Sequence, residues 1–136
     1  MSITWNTAAG NARLNACLTA AVLGQSVDGG AGNGQLVIGT SALSGSTGVL
    51  VTFTLSKPSF TIASKTATLL GVPLSATAAN SGTAALAELR DSTGTTIGSG
   101  LTVGLSGSGA DVIVSTTAIT SGQTITCVAV STIVTV

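Results

Sequence analysis

Charge is what this chain has least of. Lys, Arg, Asp and Glu account for 6% of its 136 residues, against about a quarter in an ordinary globular domain. It has no His and no Tyr, and aromatic residues make up only 2%. Without His, no Ser-His-Asp or Cys-His site can be assembled, and Cys17 has no imidazole to activate it. The four carboxylates (Asp28, Glu88, Asp91 and Asp111) are scattered, whereas a metal site needs clustered ligands. Only Glu88 and Asp91 are near one another, and on a continuous strand they would point to opposite faces. Glu88 combined with Asp111 or Asp28 is the one remaining hydrolase option. The chain is therefore read as non-enzymatic and free of cofactors.

Other absences narrow the partners. The four basic residues, Arg13, Lys57, Lys65 and Arg90, form no stripe that would neutralise several phosphates, so nucleic acid is not an expected partner. Thr and Ser interrupt every apolar run well short of the roughly 18 residues of a membrane span, and no basic amphipathic segment suits a membrane surface. The opening Met1-Ser2-Ile3-Thr4-Trp5-Asn6 lacks the basic and apolar regions of a secretory signal. Synthesis in a reducing cytosol is the corresponding expectation. Two cysteines make no disulfide framework. Cys17 and Cys127 are expected to serve as small buried apolar groups.

What remains is a chain of 44% apolar residues with 18 Gly and abundant Ser and Thr, a mixture that favours strands and turns. Leu14, Leu18 and Val22 recur at a spacing of four, with Cys17 and Ala21 beside them. They predict a helix over 7–23, capped by Asn6 or Thr7 and ended by Gly24. Arg13 would look outward. The helix either docks on its own domain or forms an arm that packs on a neighbouring subunit. Trp5, the only Trp, either staples the N-terminus into the core or anchors a partner surface. Residues 24–34, with a Gly-rich centre, match no phosphate-binding pattern and read as a flexible connector.

From Gln35 onward the pattern is one of short strands. Gln35 to Thr40 is one. Val49, Val51, Phe53 and Leu55 alternate as the inward face of another, which Pro58 ends or places at an edge. Further strands are predicted over 67–70, 74–78 and 112–114, and a long one over 124–136. Thr83 to Arg90 and Thr95 to Val103 predict a hairpin joined by a type I turn at Asp91-Ser92-Thr93-Gly94. Glu88 and Arg90 share one face of it and could pair across that face or with a neighbouring subunit; a solvated, polar outer face is the expectation. Lys57 is expected to protect an edge, and Asp111 to order a turn.

The fold class is mainly β: a β-sandwich or jelly-roll-like single domain with one N-terminal α-helix. Residues 1–34 form the helix and connector, and residues 35–136 form the β body. A partly open barrel fits the same pattern, because periodicity alone does not order the strands.

Several segments resemble small virion proteins of tailed bacteriophages. Trp5-Asn6-Thr7-Ala8-Ala9-Gly10-Asn11-Ala12-Arg13-Leu14-Asn15-Ala16 is similar to their short N-terminal helix. Leu89-Arg90-Asp91-Ser92-Thr93-Gly94-Thr95-Thr96 is similar to their central hairpin. Gly107 to Val112 and Ile119 to Thr126 are similar to their closing turn and strand. The stretch 57–79 resembles nothing specific, and Ala87 and Leu89 stand where related chains often carry aromatics. The resemblance implies a capsid decoration, or cement, protein on the virion surface. It also implies a homo-oligomer, a trimer above all, seated on the major capsid protein over junctions between its subunits. It carries no catalytic residues. Trp5, Arg13, Lys57, Glu88 and Arg90 are the residues expected at partner contacts. A tail, baseplate or fibre component is the alternative, and a glycan-binding module a weaker one.

Overall fold

The computed structural model describes residues 3–134. One helix, α1 (Thr7–Leu18), precedes twelve strands. Asn6 caps it, its side chain accepting the Ala9 N–H at 2.8 Å. Leu14 and Leu18 are buried and Arg13 is exposed, as the spacing predicts. The helix stops at Leu18, short of the expected Leu23. The following chain turns back, and the Val27 and Asp28 N–H groups take the carbonyls of Cys17 and Leu18 at 3.2 and 3.0 Å. Helical carbonyls left open at a C-terminus are thereby satisfied. Val22 and Leu23 are left exposed, and so is Cys17, against the expectation of a buried thiol. Cys127 is buried as expected.

The connector is not flexible in the expected sense. Ser26, Val27, Asp28 and Gly29 are buried, and Val27 belongs to the core. Asp28 accepts the Ser59 N–H through both carboxylate oxygens, at 3.2 and 3.0 Å. Lys57 donates to the Gly30 and Gly32 carbonyls at 2.6 and 3.1 Å. The glycines leave their carbonyls uncovered, so a single ammonium can hold two of them.

Seven strands form one sheet: β1 (Gln35–Ser44), β2 (Thr47–Thr54), β5 (Leu74–Thr77), β7 (Leu86–Arg90), β8 (Thr96–Gly104), β9 (Val112–Val114) and β11 (Thr124–Val130). Their order is β2-β1-β7-β8-β9-β11-β5. All neighbours are antiparallel except β8 and β9. The sheet curls until its two ends nearly meet. Just past β5, Ala79 N–H donates to the Leu50 carbonyl of β2 at 2.8 Å, and the Asn80 side chain donates to the Val49 carbonyl at 2.9 Å. Closing a sheet on itself removes exposed strand edges. The protein is thus mainly β with one N-terminal helix, and the strand order selects the nearly closed form among the arrangements that periodicity allows.

A second sheet, β12-β4-β3, comprises β3 (Phe60–Ala63), β4 (Thr66–Leu69) and β12 (Ile133–Val134). The helix docks on β3 and β4 of its own chain, so the docked reading holds. A two-stranded pair, β6 (Gly82–Thr83) with β10 (Ala118–Ile119), completes the fold. The expected strands 83–90 and 124–136 are each broken in two. Ala84 and Ala85 donate to the Thr117 and Gly39 carbonyls instead of continuing a ladder, and Ser131 donates to the Asp111 carbonyl. Residues 135 and 136 of the expected last strand lie outside the described residues. A single core joins Leu14 and Leu18 to Leu36, Ile38, Leu50, Val51, Phe53, Phe60, Leu69, Val112, Ile125 and Cys127. Val51, Phe53 and Leu55 face it as predicted, whereas Val49 is only half-buried.

The β1–β2 hairpin doubles back over the outside of the sheet. Strand alternation puts Leu36 and Ile38 inside and turns Val37 and Gly39 outward. A Cβ on Gly39 would lie 2.5 Å from the Gly48 carbonyl oxygen and 2.6 Å from Leu43 Cδ1. Only glycine permits that approach. The hairpin lid buries Val37 on the outer face, although Val37 is no part of the main core.

Candidate functional site and interaction surfaces

The charged residues were the natural candidates, and the fold takes half of them out of the surface. Asp28, Glu88, Arg90 and Asp91 are all buried. The solvated polar face expected at Glu88 and Arg90 is overturned. Their side chains, 10% and 9% exposed, form a 2.6 Å ion pair beneath the β1–β2 hairpin. Arg90 also donates to the Gly45 carbonyl at the hairpin tip, at 2.8 Å. Its Nε has no partner among the described residues. Sequence spacing correctly put the two side chains on one face, but the doubled-back hairpin that covers that face is a tertiary event. Both residues are thereby withdrawn from the set of expected partner contacts.

Asp91, expected only as a turn residue, is the most heavily used carboxylate. The type I turn is present, with Gly94 N–H donating to the Asp91 carbonyl at 3.1 Å and Gly94 at φ +88°. The Asp91 Oδ1 accepts the Thr93 N–H, the Thr93 hydroxyl and the Thr95 N–H at 2.9, 2.7 and 3.0 Å. Oδ2 accepts the Gly24 N–H at 2.9 Å and so ties the chain that follows α1 to the hairpin. Burial alone would raise the pKa of this carboxyl. The bonds from Thr93, Thr95 and Gly24 outweigh it, and the pKa is held below the usual aspartate value.

Asp111 orders a turn, as expected. Its Oδ2 accepts the Thr102 N–H and hydroxyl at 3.0 and 3.1 Å, and its own N–H donates to the Thr102 hydroxyl at 3.0 Å. Lys57, expected to protect an edge, instead fastens the connector.

Trp5 and Arg13 come together. The Arg13 guanidinium carbon lies 4.6 Å from the centroid of the Trp5 ring. Trp5 is half-buried and Arg13 exposed. The Lys65 ammonium donates to the Trp5 carbonyl at 2.9 Å, and the Lys65 N–H donates to Asn11 Oδ1 at 2.7 Å. Lys65 sits in the β3–β4 turn, and no reading of the sequence brought it to Trp5. The turn, Ser64-Lys65 at φ 51° and 61°, lacks the Asn-Gly signature that marks such hairpins, so both β3 and this contact escaped notice.

Among the described residues no cleft or cavity opens, and no three His, Cys, Asp or Glu stand close enough to hold a metal ion. Among the described residues no helix is long and apolar enough to cross a membrane. No protein-family model, curated protein or solved structure matches the chain.

Proposed function

We propose that the protein is a structural component of a tailed-bacteriophage virion, bound to the outside of the capsid as a decoration protein. In this reading it associates with its own copies, as a trimer, and with the major capsid protein, and it stabilises junctions between capsid subunits. The supporting observation is the fate of its charges. Four of the eight charged side chains are buried. Of the other four, Lys57, Lys65 and Asp111 hydrogen-bond within the fold, and Arg13 stacks on Trp5. A free domain of this size normally shows charges on about 25–35% of its surface positions, which keeps it from associating. A surface with so few mobile charges shares the depletion of charge that marks the buried centre of protein interfaces, and suits burial in an assembly. The resemblance of the helix and hairpin segments to phage virion proteins supplies the assembly.

The tail or fibre reading draws on one feature. Thr77 faces Thr124, and Ser75 faces Thr126, across β5 and β11. The resulting hydroxyl-bearing strip suits a receptor-facing tip. A glycan-binding module is disfavoured by the lack of a bare aromatic platform. Phe53 and Phe60 are buried, and the Trp5 ring is covered by Arg13.

Cryo-electron microscopy of particles of the encoding phage tests the proposal. Regular copies on the shell touching several capsid subunits are the expected result. Density confined to the tail would replace the decoration reading with the tail reading. Absence from the particle would reject both.

A further inference from the structure

The chain is formally neutral, with four basic and four acidic residues, but its surface is not. Three acidic side chains are buried (Asp28, Glu88 and Asp91) against one basic side chain, Arg90. The charges left exposed or half-exposed are Arg13, Lys57 and Lys65 against Asp111 alone. Two of the three outward cations converge on Trp5: Arg13 on its ring and Lys65 on its carbonyl. The first turn of α1 holds no acidic residue to offset them.

The cations differ in what they have left to give. Lys57 gives two of its three N–H donors to carbonyls, Lys65 gives one of its three, and Arg90 bonds to Glu88 and Gly45. Among the described residues, no protein acceptor takes an N–H of the Arg13 side chain. The Arg13 guanidinium lies over the indole face, and a guanidinium offers five N–H donors in a planar fork. Stacking also removes rotamer freedom before any partner arrives, which lowers the entropic cost of binding. A planar fork of donors, held in place beside a second positive charge, matches a carboxylate in both geometry and sign. The half-buried Trp5 ring and the exposed Ile3 supply apolar contact alongside.

We propose that the Trp5–Arg13–Lys65 face is a docking site for a carboxylate on the acidic surface of a partner protein. Arg13 makes the bidentate contact and Trp5 serves as its platform. This deepens the decoration reading by naming the contact face and the partner's chemistry, and it rests on that reading for the partner's identity. A nucleic-acid partner is disfavoured, because three outward cations, one of them on a separate segment, neutralise few phosphates.

Two experiments test the site and keep the two readings apart. The first needs no phage. Trp5 is the only Trp, so its fluorescence reports directly on the face. The full chain is titrated with a deca-glutamate peptide, a deca-lysine peptide and a short DNA oligonucleotide. Deca-glutamate alone should change the emission, and about 0.5 M salt should abolish the change. Arg13→Glu should weaken the response about tenfold or more, while Arg13→Lys, which keeps the charge but not the fork, should restore only part of it. No response to deca-glutamate, or an equal response from Arg13→Glu, overturns the proposal. A stronger response to DNA transfers the face to nucleic acid and also overturns it. The second experiment measures binding of wild type and Arg13→Glu to particles lacking the protein. If neither binds, the decoration reading fails while the fluorescence result still decides the site. If both bind equally, the site fails while the decoration reading stands.

Discussion

Replacing Asp91 with Ala should destabilise the protein more than any other single change at a turn. The carboxylate accepts four hydrogen bonds, three on Oδ1 and one on Oδ2. Hydrogen bonds to a charged group contribute about 1.5–3 kcal/mol each when desolvated, and ordinary ones about 1 kcal/mol. Gly24, Thr93 and Thr95 are exposed residues, so water recovers part of each loss, and the lower figure is the better guide. Four bonds then give roughly 3–4 kcal/mol. Unfolding entropy scales as about 2.1 cal/mol/K per residue, or about 0.29 kcal/mol/K for a chain of this length. A loss of about 3 kcal/mol therefore lowers Tm by about 10 °C. Thermal unfolding followed by circular dichroism measures this directly. Thr93→Val, which removes the hydroxyl bond to Asp91 and the longer exposed contact with the Thr95 hydroxyl, should cost about 1 kcal/mol, or about 3–4 °C. The dependence on pH supplies an independent check. The folded carboxyl titrates below its unfolded value of about 3.9, so its contribution is complete above that pH. It fades as pH falls through the folded pKa. The gap in stability between wild type and Asp91→Ala should be constant from about pH 5 to 7 and shrink below about pH 4. A Tm change under about 3 °C at neutral pH, or a gap that widens on acidification, would refute the hub role given to this residue.

Three other changes have clear expected outcomes. Arg90→Met strands the buried Glu88 carboxylate and should cost about 3–5 kcal/mol in urea unfolding, whereas the double replacement Glu88→Leu with Arg90→Met should recover most of that loss; equal destabilisation in both would show that the pair is not coupled. Deleting residues 1–23 removes Leu14 and Leu18 from the core, so the truncated chain should unfold well below the full chain rather than behave as an intact β body that has lost an arm. Cys127, whose thiol burial pushes up to about 11, should resist thiol reagents under native conditions while the exposed Cys17 reacts at once. Because the folded value lies above the unfolded one, stability from this thiol should be full below about pH 8.5 and decline as pH rises toward the folded value; a midpoint unchanged between pH 8 and 11, compared with Cys127→Ala, would contradict that.

Local chemistry was legible in the residues themselves. Asn6 as helix cap, the apolar Leu14 and Leu18, the alternation of Val51, Phe53 and Leu55 and the Asp91–Gly94 turn each depend on neighbours a few positions away. Periods of 3.6 and 2 and the geometry of turns carry that information in the chain. The mainly β class follows from the same signals. Tertiary structure decided what lies over what. The β1–β2 hairpin turned the outward Glu88–Arg90 face into a buried ion pair, which required Gly39 and Gly48 to meet at contact distance. Lys57 and Asp28 fastened a connector that composition marks as loose, because glycine carbonyls and the Ser59 amide came within reach only after folding. The β3–β4 turn carried Lys65 some sixty positions along the chain to Trp5. Sequence determines which faces a strand or helix has. Which face meets solvent depends on how distant segments close over one another, and here that closure took most of the acidic charge inside and left Arg13, on its tryptophan, facing out.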